Sequence, residues 1–148
     1  MSWTKTNTAK WAMVAASINV NPVPSLSVLK FADLPTPLPG DVVTFSATTT
    51  NSGMGAAVSL VSNEAVPANT DFKLGSPAFA PGTSGLTTAV TYSNNGGTTY
   101  TYTPVSGGGG APAGFDRTVT HVRWTMTGNL SQISPNNSYG VSFQVRIR

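Results

Sequence analysis

From Tyr139 to Ile147 apolar and polar residues exchange at every step: Tyr139, Val141, Phe143, Val145 and Ile147 fall on one side, Ser142, Gln144 and Arg146 on the other. Side chains of an extended strand point alternately to its two faces, so a period of two writes a strand with one dry and one wet face. The same period returns in Val122, Trp124 and Met126, set between His121, Arg123 and Thr125. It returns again in Val43, Phe45, Ala47 and Thr49, and in Leu86, Thr88, Val90 and Tyr92. Shorter runs at Leu26 to Phe31, at Ala56 to Val61 and around Phe72 and Leu74 bring the count to about seven strands. Clusters of Gly, Pro, Asn and Ser separate the runs, and no segment holds a 3.6-residue period over three turns. Asn95-Gly96 predicts a hairpin between the run ending at Tyr92 and a partner over Thr98 to Thr103. The Val122 and Tyr139 runs are expected to pair antiparallel, and Ser106 to Gly114, with Gly107 to Gly110 inside it, reads as a flexible loop. Short strands without helices define an all-β, two-sheet antiparallel sandwich.

Composition narrows the function. The chain has 148 residues, suited to one domain, and no cysteine, so its core must hold without cross-links. Charged residues are 9% of the chain and net charge is +3, with the bases scattered from Lys5 to Arg148. A nucleic-acid surface needs a clustered basic patch, so no nucleic-acid partner is expected. The longest apolar run, Trp11 to Ala16, falls well short of the roughly 20 residues of a membrane span. His121 is the only histidine, and the five acids, Asp33, Asp41, Glu64, Asp71 and Asp116, show no Asp-x-Asp calcium pattern. The glycine run lacks the Lys-Ser/Thr of a phosphate cradle. The chain therefore reads as a non-enzyme with no catalytic residues, no cofactor and no metal site.

Three phrases in order carry a family resemblance. They are Pro39-Gly40-Asp41-Val42-Val43-Thr44-Phe45, then Thr50-Asn51-Ser52-Gly53, then Val66-Pro67-Ala68-Asn69-Thr70-Asp71-Phe72. With the Tyr92 to Gly97 hairpin, the Val122-Arg123-Trp124 strand and Tyr139-Gly140-Val141-Ser142-Phe143, the chain resembles the conserved-repeat domain of prokaryotic surface proteins, domain of unknown function eleven. The resemblance covers most of residues 26–148. It implies an immunoglobulin-like sandwich in an extracellular or cell-surface setting, with no catalytic residues to carry over. Where the family has an acid before its Pro-containing turn, this chain has Ser62-Asn63-Glu64-Ala65.

The family pattern does not need residues 1–24, which stand before the sandwich of residues 25–148. Within them Ala12, Val14, Ala16, Ile18 and Val20 alternate with Trp11, Met13, Ala15, Ser17 and Asn19, and Pro22 and Pro24 follow. This is strand composition followed by a stiff connector, because proline lacks the ladder donor. Trp11, Ala12, Met13, Val14, Ala16, Ile18 and Val20 are the candidate donor strand, to be added to a sheet edge either of the same copy or of another. Burying Val14, Ile18 and Val20 at about 1.5–3 kcal/mol each sets roughly 5–9 kcal/mol against an association cost of about 4–15 kcal/mol. A donor and an acceptor on different surfaces of one chain make a heterologous contact that repeats into a filament. The expected function is thus a structural, self-partnering subunit of an extracellular, pilus-like fibre, a homopolymer serving roles such as adhesion. The alternative is a monomeric surface module that stacks a glycan on Tyr100, Tyr102 and Trp124.

Overall fold

The computed structural model describes residues 21–148, and the candidate donor residues Trp11, Ala12, Met13, Val14, Ala16, Ile18 and Val20 lie outside them. Every regular element among the described residues is a strand: β1 (Leu26–Ala32), β2 (Val42–Asn51), β3 (Val61–Ala65), β4 (Thr70–Lys73), β5 (Ala78–Ala80), β6 (Thr87–Ser93), β7 (Phe115–Asp116), β8 (His121–Thr127) and β9 (Ser138–Ile147). Six strands form one sheet in the order β1-β2-β9-β4-β7, with β5 beside β4 on the same edge of β9; β3-β8-β6 form the other. All named strand pairs are antiparallel. The chain is an all-β sandwich.

The period-two runs supply the core. Tyr139, Val141, Phe143 and Val145 of β9 are buried, as are Val43, Ala47 and Thr49 of β2 and Val122, Trp124 and Met126 of β8. Phe143 stands at the centre, 6.4 Å ring to ring from Trp124 and 6.5 Å from Phe72. These rings join the sheets, since β9 belongs to the larger and β8 to the smaller.

That geometry corrects the expected β8–β9 pairing. Both edges of β9 are taken, one by β2 and the other by β4 and β5, so the two runs meet face to face across the core instead of edge to edge. Periodicity reports which face of a strand is dry and nothing about its sheet. The strand expected over Ala56 to Val61 is also displaced. Ala57 makes one bridge to Leu130, and the ladder starts at Val61 and runs through Ser62, Asn63 and Glu64. Similarly, Thr98 to Thr103 forms no strand; only Tyr102 bridges to Tyr92. Side chains take over the hairpin end, where the Ser93 hydroxyl accepts from the amides of Asn95 and Gly97 and the Asn95 side-chain Oδ1 accepts from the Thr99 amide. β5 lies inside a Gly- and Pro-rich connection where no strand was expected.

The two sheets differ in width, and this leaves one strand without cover on its inner face. β1 pairs with β2 over all seven of its residues, yet every one of them is exposed. The smaller sheet stops at β3, so among the described residues no strand lies across from β1.

Candidate functional site: an open seam between the sheets

Residues directly opposite in a ladder share a face. Leu26, Val28, Lys30 and Ala32 stand opposite Asn51, Thr49, Ala47 and Phe45, which are the inward residues of β2. The inner face of β1 is therefore turned toward the interior, but Leu26 remains 47% and Val28 54% exposed. On the far side of the gap β3 points Ser62 and Glu64 inward. The Ser62 hydroxyl lies 3.0 Å from that of Tyr139, and Lys30 Nζ reaches across to Glu64 Oε2 at 2.8 Å.

This ion pair borders two hollows along the seam. One, of about 240 Å³, is lined by Leu26, Val28, Leu60 and Tyr139, and the other, of about 420 Å³, by Ala32, Phe45, Pro67 and Phe143. The Lys30 side chain is 59% exposed but that of Glu64 only 15%, so parting the pair returns a solvated ammonium to water and leaves a largely covered carboxylate behind. β3 itself hydrogen-bonds to β8 alone among the described strands, which leaves its outer row of N–H and C=O groups without a strand partner there. The seam therefore combines an apolar floor, a gap bridged by an ion pair and an open sheet edge.

The glycan-stacking trio is separated by strand parity. On β8, Trp124 points into the core at 0% exposure, while its neighbour Arg123 points out and lays its guanidinium 3.5 Å from the Tyr100 ring centroid. The Trp124 indole N–H is buried with no partner among the described residues, at a cost of about 1–3 kcal/mol. Tyr100 and Tyr102 do come together, flanking a hollow of about 290 Å³ with Val90 and Pro104. Tyr102 is also anchored, its hydroxyl donating to Asp116 Oδ2 at 2.7 Å and lying 2.8 Å from the Thr118 hydroxyl.

All five carboxylates are committed to holding the chain. Asp33 accepts from the Thr44 amide, Asp41 from the Leu38 amide, and Glu64 closes the seam. Buried Asp71 faces Arg117 at 2.8 Å and Arg146 at 3.8 Å. Buried Asp116 accepts from Tyr102, from the amides of Val105 and Thr118 and from the Thr118 hydroxyl. Burial pushes the Asp116 carboxyl up, but these bonds to its charged form outweigh burial and hold it below the usual carboxylate range. Among the described residues no three His, Cys, Asp or Glu side chains gather as a metal site would need.

Sequence reading overlooked the seam, although a signal for it was present. In Leu26-Ser27-Val28-Leu29-Lys30-Phe31-Ala32 apolar residues occupy both faces, Leu26 and Val28 on one and Leu29 and Phe31 on the other, whereas every other long strand has a wet side. Such a strand at an edge asks for cover on the inside. Comparison with protein-family models, with curated proteins and with solved structures finds no match.

Proposed function

We propose that this chain is a structural subunit of an extracellular, pilus-like filament, polymerising by donation of its N-terminal strand to a neighbouring copy at or beyond the cell surface. The observation that carries the reading is β1, fully paired in its sheet yet exposed along its whole length over an apolar seam. The alternating segment at residues 11–20 has the composition to fill such a seam. The commitment of all five carboxylates to chain contacts further supports a structural role over a catalytic one. Electron microscopy of purified full-length chain and of chain lacking residues 1–20 tests it. Filaments that form with rising concentration and vanish on deletion support the reading; identical filaments without the leader overturn it. The second reading, a glycan-binding surface module, rests on the hollow beside Tyr100 and Tyr102, and glycan binding by strictly monomeric protein favours it.

A further inference from the structure

The root of the leader is fixed to the body. The Ser52 amide donates to the Ser25 carbonyl and the Met54 amide to that of Val23, both at 2.9 Å, in the same register as the β1–β2 ladder. Gly53 and Gly55 permit this, since a Cβ on either would strike the backbone of Pro22 to Ser25. Main-chain bonds thus follow the chain past Leu26 as far as Val23, whose carbonyl accepts from both the Met54 and Gly55 amides where the partner segment bends. This direction leads away from the molecule's own seam. Returning to that seam would require a full reversal at the first residues before Val23.

β1 and β3 run the same way along the seam. Leu26 and Val28 share one hollow with Val61 and Ser62, and Ala32 shares the other with Ala65 and Pro67. A leader that departs at the Leu26 end meets the next copy of a polar stack at the opposite end, where Ala32 and Pro67 lie. Of the other edges, β6 is bridged by Tyr102 at Tyr92, and β7 is flanked by the Gly107 amide, which donates to the Phe115 carbonyl, and by the Gly108 carbonyl, which accepts from the Arg117 amide. Among the described strands the outer edge of β1 is open too, but a strand added there would leave the inner face of β1 uncovered.

We infer that the leader of one copy docks in the β1–β3 seam of a second copy, adding to the outer edge of β3 and running parallel to it. This rests on the strand-donation reading and names its acceptor. Ala12, Val14, Ala16, Ile18 and Val20 then cover the inner face of β1, and Trp11, Met13, Ala15, Ser17 and Asn19 face outward beside Val61, Asn63 and Ala65. Ten residues reach about 33 Å and the seven of β1 about 23 Å, so the segment spans the seam with length left to cross between copies. Lys30 and Glu64 part to admit it.

The natural chain has no cysteine, so disulfide trapping reads the geometry directly. One protein carrying Ser17→Cys is mixed with a second, size-tagged protein carrying Ala65→Cys, polymerised, oxidised and run without reductant. A mixed dimer at this pair, with Met13→Cys and Ala65→Cys giving at least ten-fold less, is the expected result. The reverse preference overturns the parallel orientation. A bond from the leader to Thr91→Cys on β6, with none to β3, overturns the acceptor while leaving strand donation intact. Filaments that persist without residues 1–20 overturn both. Circular dichroism of each variant before mixing confirms that the sandwich is folded.

Discussion

Asp116→Asn tests the internal logic of the sandwich most sharply. Oδ2 of Asp116 accepts from the Val105 amide at 2.7 Å and Oδ1 accepts from the Thr118 amide at 2.8 Å. The hydroxyls of Tyr102 and Thr118 can turn to donate or accept, but a backbone N–H cannot. An asparagine keeps one acceptor oxygen, so in either orientation its NH₂ faces one of the two amides. One buried N–H then loses a charge-assisted bond and finds no replacement, at about 3 kcal/mol when the lost bond and the orphaned donor are taken together. For a chain of this length each kcal/mol moves the melting temperature by about 2–4 °C, so a fall of roughly 6–12 °C is expected at neutral pH. The sign with pH follows from the depressed carboxyl of Asp116. Its contribution is fully present above the unfolded-state value near about 3.9 and is lost as pH falls through the lower folded value. Asp33 shifts in the same direction but is common to both proteins, so it cancels in the difference. Calorimetry on both proteins down a pH series should show a constant gap at neutral pH that closes in acid. A variant within about 1 kcal/mol of wild type at pH 7, or a gap that widens in acid, refutes the account.

Three further perturbations probe other parts of the molecule. Val28→Asp, at a half-exposed seam position, should leave monomer stability within about 0.5 kcal/mol yet raise the concentration needed for polymers by on the order of 100-fold, while Leu29→Asp on the outer face has a far smaller effect; sedimentation of the polymer checks both. Gly55→Ala forces Pro22 off the body, so hydrogen exchange at the Met54 and Gly55 amides, which both bond to Val23, should accelerate while exchange at the β9 core amides stays unchanged. Phe72→Ala removes a fully buried ring that touches Phe143 and Tyr92, and urea unfolding should show a loss of about 3–5 kcal/mol.

Much of this fold is written locally. β2, β6, β8 and β9 each carry a wet and a dry face, and alternation alone placed them to within a residue or two. What alternation cannot carry is partnership. β8 and β9 have the same pattern because each covers the other's dry face, and pairing them in one ladder misread contact across the core as contact along an edge. β3 escaped because Ser62 and Glu64, the residues it turns inward, are polar; one bonds Tyr139 and the other Lys30, and neither partner is close in sequence. The glycan trio failed at Trp124 for a related reason: equal spacing puts aromatics on one face, and only the position of the second sheet decides whether that face meets water or protein.

The seam also shows how an unpaired edge can be kept from indiscriminate association. Folded proteins blunt open edges with charges turned inward and with lysines in particular. Here Lys30 and Glu64 do this from opposite sheets and meet at 2.8 Å over the apolar floor. A hydrophobic strand drifting against β3 must first part them and leave two charges beside Val28 and Phe45. That cost, set mainly by the largely covered Glu64 carboxylate, is spread over more buried apolar surface for a segment long enough to cover the whole seam. It is larger, relative to the gain, for a short or poorly registered strand that covers only one of the two hollows. On the strand-donation reading the pair would therefore favour a long occupant, such as the ten-residue alternation of the leader, over a short one.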